Sequence, residues 1–385
     1  MDFNTESTYQ EYFSKAHDMV RKSVRDFIRK EVLPYIDEWE EAGEFPREIY
    51  KKAADVGILG MGYPEAYGGT PGDVFFQIAV SEELMRSTSG GFCAGLGSLN
   101  IALPPILNLG TEEQKKKFVP PVLAGEKIAA LGITEPGGGS DVANIQTTAE
   151  RDGDDYIING SKTFITSGCR ADQLTCAART GGEGAHGISL IVIEADTPGY
   201  STSKKLKKTG WWASDTAEIF FNNCRVPAAN LIGEENQGFY GIMMNFQAER
   251  LSLAVMANMT ARMALEEAVK YAKERKAFGK ALTGFQVNRH KLADMATLVE
   301  ASTEFTYRVA AKIGAGVDQV KEVSMAKNFA CDASDKVTYD AVQLFGGYGY
   351  MRGYAVERLY RDNRILSIGG GTREVMNEII SRLAL

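Results

Sequence analysis

Glu249 sits where a carboxylate is costly. In the stretch 239–273, which carries no glycine or proline after Gly241, Ile242, Phe246, Leu253 and Met256 recur at spacings of 4, 7 and 3 and share one helix face. Glu249 falls on that face, three residues after Phe246 and four before Leu253. One reading is a glutamate at the rim of the core, paired with a neighbouring cation. The other is a base in an apolar pocket, where burial raises the carboxyl pKa and strengthens it as an acceptor for a weakly acidic carbon proton. A second stretch, Ser-Ile-Gly-Gly-Gly-Thr-Arg-Glu at 367–374, places three glycines directly before Thr372. It is either a loose surface turn or a place where something large approaches the backbone.

Other chemistries lack their residues. The histidines are His17, His186 and His290, none at ligand spacing, so no metal centre is expected. No Gly-x-Ser-x-Gly elbow or phosphate-binding Gly-x-x-x-x-Gly-Lys loop occurs, and the glycine clusters at 137–139 and 346–349 miss the dinucleotide fingerprint spacing. Any nucleotide cofactor needs another mode of binding. Five cysteines without a Cys-x-x-Cys pair suggest neither a disulfide framework nor zinc, and fit a reducing compartment. A net charge of -7 argues against nucleic acid or an anionic membrane as partner. The basic run 204–208 reads as a solvated strand edge or turn. The amino terminus shows no apolar or arginine-rich leader, and no apolar run reaches membrane-spanning length, so the expected location is the cytoplasm of a bacterial-type cell.

Apolar residues recur at helical spacing from about 8 to 126, including Met19, Val24, Phe27, Ile28, Leu33 and Ile36. Short β-rich runs follow, at 156–158, 188–193 and 218–221, broken by Gly, Asn and Asp. Long helical patterns return from 236, over 239–273, 285–313, 317–345 and 372–383. The expected class is α+β: an N-terminal α-helical domain at 1–128, a central antiparallel β domain at 129–235 and a C-terminal four-helix bundle at 236–385.

Several segments then acquire a joint meaning: Gly-Ile-Thr-Glu-Pro-Gly-Gly-Gly-Ser-Asp at 132–141, Asn-Gly-Ser-Lys-Thr-Phe-Ile-Thr-Ser-Gly at 159–168, Glu-Arg-Lys-Ala-Phe-Gly-Lys at 274–280, Gln-Leu-Phe-Gly-Gly-Tyr-Gly-Tyr at 343–350, Tyr-Arg-Asp at 360–362 and the glycine run. In this order they resemble the acyl-CoA dehydrogenase family over essentially the whole chain. The resemblance implies the same three-part fold, FAD as cofactor, no metal, an acyl-CoA substrate, an electron-transferring flavoprotein as acceptor and a homotetramer. It also implies the reaction: a carboxylate takes the α-proton of the thioester and the β-hydride passes to the flavin, leaving a trans-2-enoyl-CoA. The thioester carbonyl, gaining negative charge, is held by a ribityl hydroxyl and by a backbone N–H that matches Gly370.

By the same resemblance Thr134 and Thr166 bond the flavin ring, Phe164 packs against it, and Ser140 lies near the pyrophosphate and the CoA. Arg275 and Phe278 hold the diphosphate and adenine end. Gln343, Gly346 and Gly347 reach the cofactor of a neighbouring subunit, and Leu131, Gln286, Thr372 and Glu374 complete the cofactor-binding set. Where many members carry the catalytic glutamate just before the Gly-Thr of the turn, this chain has Gly370. A minority place it on the bundle helix before Arg-Leu, which here is Glu249 before Arg250 and Leu251. Both lines therefore lead to Glu249 as the base, with Arg250 a structural or CoA-side cation. Gly369 replaces a common tyrosine, in a pattern similar to isovaleryl-CoA dehydrogenase. The space beside the β-carbon suggests a 3-methyl-branched acyl-CoA, of isovaleryl or citronellyl type. Straight medium or long chains, and a catalytically silent flavin- and acyl-CoA-binding protein, are the alternatives.

Overall fold

The computed structural model describes residues 9–385; residues 1–8, on which the reading of the amino terminus rests, lie outside the described residues. The first segment is helical up to Leu123. Two of its helices matter most, α1 (Lys15–Phe27) and α2 (Val74–Met85). Asp73 starts α2 by accepting from the N–H groups of Phe75 and Phe76. Where the two helices meet, Arg21, only 2% exposed, pairs with Glu82 at 2.6 Å, and Arg25 pairs with Glu83 at 2.8 Å. Val24, Phe27, Ile28 and Ile36 are buried as their spacing predicts, whereas Met19 and Leu33 face outward.

The middle segment forms one eight-stranded sheet: β1 (Ala129–Gly132), β2 (Thr148–Asp152), β3 (Asp155–Thr166), β4 (Gln173–Arg179), β5 (Ile188–Glu194), β6 (Tyr200–Thr202), β7 (Thr216–Pro227) and β8 (Leu231–Ile232). Antiparallel pairs dominate, but β1 runs parallel to β4, and β2 touches β4 in parallel at Thr148 and Arg179. The expected antiparallel β domain is therefore present, with the parallel contacts of β1 and β2 to β4 as the addition that the sequence pattern does not show. The run 204–208 is irregular coil, and its last member is half-buried. Lys208 is held by the Ser214 carbonyl at 2.6 Å and the Ser214 and Thr216 hydroxyls, and burial pushes its pKa down to about 8.

The last segment contains α3 (Gly238–Glu274), α4 (Gln286–Gly314), α5 (Val320–Phe345), α6 (Ala355–Asn363) and α7 (Arg373–Ala384). The expected long helices are all present, and α6 is an additional short one. One apolar core runs through all three segments, from Phe27 and Phe92 past Leu190 and Val192 to Ala254, Met263 and Val337. The Tyr-Arg-Asp segment on α6 seals the junction. The Asp362 carboxylate accepts from the N–H of Gly90 at 2.9 Å and of Trp211 at 2.6 Å, while Arg361 meets Glu40 at 2.8 Å. Burial raises the Asp362 pKa to about 7 against the pull of Arg361. No single helix among the described residues is long and apolar enough to cross a membrane.

Candidate active site

Glu249 lies in the first third of α3, half-buried, with Leu253 and Met256 of the same face buried beside it. No hydrogen bond or ion pair joins its carboxylate to another described residue. The rim-pairing alternative therefore finds no partner here. Burial raises its pKa above the ordinary glutamate value, and the charges of Lys327 and Arg250, acting from a distance, only partly offset this. Arg250, the next residue, is buried with its Nε unpaired, and its guanidinium lies 5.6 Å from the Phe246 ring centre.

The glycine run ends against this carboxylate, and each glycine has its own reason. A Cβ on Gly369 would meet only the Ile365 carbonyl, at 3.6 Å, so that side is open. Gly370 has φ +63; a Cβ there would overlap Leu253 Cδ1 and stand 3.4 Å from Glu249 Oε1. Gly371 has φ +97 and is backed by Met376. The N–H of Gly370 donates to no described acceptor, whereas that of Gly369 donates to Ile365. Thr372 caps α7, its hydroxyl accepting from the Val375 N–H at 3.3 Å, and Glu374 is exposed in the first turn. The turn is thus no loose loop: it presents bare backbone beside an unpaired carboxylate.

A second group lines the β segment. Thr134 and Thr166 lie on adjoining chain, since the Thr163 N–H donates to the Thr134 carbonyl at 2.8 Å. Neither threonine hydroxyl has a hydrogen-bond partner among the described residues, and Leu131 and both threonines are partly exposed. The β3–β7 register shifts between Lys162 and Ile165, and the bulge turns Phe164 out with φ +59 and 68% exposure. Ser140 is exposed beside Gly137 and Gly138, where an added Cβ would meet nothing within 4 Å.

This loop has an anchor that the sequence reading passed over. Lys162, fully buried, bonds to Glu135 at 2.7 Å, and Glu135 also accepts from the N–H groups of Gln146 and Thr147. Burial pushes the Glu135 carboxyl up, but the Lys162 charge and these hydrogen bonds outweigh it and hold the pKa below the ordinary value. The folded state thus binds fewer protons at this group than the unfolded chain. Its stabilisation is present above the unfolded pKa and is lost as pH falls through the folded one. Lys162→Met strands Glu135 and is expected to cost about 3–5 kcal/mol at neutral pH. Denaturant unfolding checks this, and the deficit should narrow in acid as Glu135 takes up a proton.

The third group gathers at the far end of the bundle. Phe278 and Gly279 form the turn of the ribbon Lys276–Ala277/Lys280–Ala281, with φ +51 and +80. This phenylalanine is in left-handed conformation and 96% exposed, with an edge-on ring contact to Phe285 at 6.3 Å between centres. Arg275 and Gln286 are exposed near it, and Arg275 stands 6.0 Å from the Tyr348 ring centre. Gln343, Gly346 and Gly347 are exposed at the same end, with open space around both glycines. The structure therefore gathers the predicted residues into three local groups. The unpaired hydroxyls, outward aromatics and bare glycine backbone suit a flat, multiply polar ligand such as FAD. Among the described residues no cluster of metal-ligating side chains occurs.

The chain matches the acyl-CoA dehydrogenase N-terminal domain over 14–126, the middle domain over 130–224 and the C-terminal domain over 236–385. The long-chain specific acyl-CoA dehydrogenase of Sus scrofa mitochondria is 43% identical over 96% of this chain and 86% of its own. The caffeyl-CoA reductase-Etf complex subunit CarC of Acetobacterium woodii is 41% identical over 97% and 99%. Among solved structures, a probable acyl-CoA dehydrogenase of Mycobacterium abscessus superposes with TM-score 0.96 at 50% identity, covering 97% of this chain and 100% of that one. An acyl-CoA dehydrogenase of Bacillus anthracis complexed with FAD superposes with TM-score 0.91 at 33% identity, covering 97% and 67%. The fold and the site define an FAD-dependent oxidoreductase acting on acyl-CoA thioesters. The chain belongs to the acyl-CoA dehydrogenase family.

Proposed function

We propose that Glu249 is the base that removes the α-proton of an acyl-CoA thioester, and that the Gly370 N–H holds the carbonyl oxygen as negative charge develops on it. The observation that carries this is the desolvated Glu249 carboxylate, unpaired among the described residues, facing a glycine whose N–H has no acceptor among them. FAD, when bound, supplies the hydride acceptor. Leu131, Thr134, Ser140, Phe164, Thr166, Thr372 and Glu374 would hold it from within the subunit. Arg275 and Phe278 would hold its diphosphate and adenine end, with Gln286 in the same cofactor-binding set, and Gln343, Gly346 and Gly347 would meet it from a neighbouring subunit of a homotetramer. Ser140 and Arg250 would serve the CoA side. An electron-transferring flavoprotein is the proposed acceptor, supported by the relative named as a subunit of an Etf complex. The proposed location is the cytoplasm.

For the acyl chain the proposal is a 3-methyl branch, seated in the open space at Gly369. Anaerobic titration with isovaleryl-, citronellyl- and octanoyl-CoA, followed as loss of flavin absorbance, tests it. Preferential bleaching by a branched thioester is expected; bleaching mainly by octanoyl-CoA assigns straight chains instead, in keeping with the long-chain relative. Gly369 has no positive φ, so its backbone accepts a side chain. Gly369→Tyr is expected to lower kcat/KM for branched substrates by about tenfold to a hundredfold relative to straight ones. An unchanged ratio removes the branch pocket.

A further inference from the structure

Lys327 has a role that none of the preceding assignments gives it. It lies on the inner face of α5 at 1% exposure, with no carboxylate partner among the described residues. Its ammonium donates to two backbone carbonyls, that of Gly369 at 2.5 Å and that of Gly371. A buried cation without an ionic partner costs several kcal/mol, and an apolar residue would pack there at less cost. Stability alone does not explain it.

The bonding partners do. The carbonyl of Gly369 belongs to the same peptide group as the N–H of Gly370, and among the described residues no peptide bond is cis. In a planar trans amide the C=O and N–H point in opposite directions. Fixing the oxygen on one side therefore aims the hydrogen to the other, and that hydrogen has no acceptor among the described residues. A cation on the oxygen also polarises the amide and makes its N–H a stronger donor. The second bond, to Gly371, holds the other flank, so the left-handed pair Gly370 and Gly371 is clamped from behind.

We infer that Lys327 is a positioning residue for the thioester: it orients and polarises the Gly369–Gly370 amide so that the Gly370 N–H meets the carbonyl oxygen of the substrate. This rests on the proposed role of Gly370. The charged groups facing Lys327 are Glu249 and Arg250 on α3, and the titratable Cys331 thiol, one turn along α5, is pushed up to about 12 by burial. Burial lowers the Lys327 pKa to about 8, opposed by Cys331 and Glu249, so the ammonium form still predominates at neutral pH.

The test uses the FAD-loaded enzyme and its Lys327→Met and Lys327→Gln variants with a trans-2-enoyl-CoA carrying carbon-13 at the thioester carbonyl. Infrared difference spectra report how far binding lowers the carbonyl stretch. The parent enzyme is expected to lower it, Lys327→Met to lose at least about half of that shift, and Lys327→Gln, which keeps N–H donors without the charge, to fall between. With each variant's preferred acyl-CoA, kcat should drop about tenfold to a hundredfold with KM changed far less. If Lys327→Met yields no flavoprotein, Lys327→Gln alone decides by the same readings. A full carbonyl shift with kcat within about twofold of the parent overturns the inference. A parent enzyme that neither bleaches nor shifts the carbonyl overturns the proposed function itself.

Discussion

Glu249→Gln is expected to leave a yellow protein that does not turn over. The amide has nearly the shape of the carboxyl and cannot accept a proton, so kcat should fall by about 10²–10⁴ while flavin content and KM change little. Stability supplies an independent check. Because burial raises the Glu249 pKa, the folded state binds more protons at this group than the unfolded chain. Its stabilising contribution is present below the unfolded pKa and is lost as pH rises through the folded one. Ionisation of this group is therefore a cost, and at neutral pH the glutamine variant should be as stable as its parent or more so. Loss of activity together with a lower unfolding midpoint would instead indicate a structural glutamate.

Gly370→Ala is expected to have the next largest effect. The methyl group would overlap Leu253 Cδ1, and an alanine at φ +63 costs about 1–2 kcal/mol. The turn must move, yet Lys327 clamps its carbonyls on both sides. Displacing one donor to a developing oxyanion typically costs about 10²–10³ in kcat, and a loss of that size is expected here. Stopped-flow reduction of the bound flavin by excess acyl-CoA checks it. Reduction at the parent rate would mean that the Gly370 N–H does not touch the thioester.

How much of this was readable beforehand depends on where each signal lies. Glu249 stood out because a charge interrupts an apolar stripe on one helix, and the stripe is local. Lys327 interrupts a similar stripe, with Val323, Ala330 and Val337 buried around it. The sequence does not mark it, because its partners are backbone carbonyls 42 and 44 positions away and no residue type signals them. The long helices followed from periodicity, since bundle helices bury one face. The parallel β1–β4 pairing did not, because strand direction is a long-range property that a four-residue strand cannot encode. The outward turn of Phe164 likewise depends on a register shift between β3 and β7, and alternation along β3 alone hides it. The branched-chain reading drew on Gly369 alone, and a pocket's depth is set by residues that meet only in the fold.

The most direct test of the central claim is the rate of anaerobic flavin reduction with α-deuterated and unlabelled acyl-CoA, measured across pH. Removal of the α-proton by Glu249 predicts slower reduction with the deuterated substrate. It also predicts a rate that rises with pH through a pKa above the ordinary glutamate value, with both features absent from Glu249→Gln. Reduction in Glu249→Gln at the parent rate, with the isotope effect intact, would contradict it.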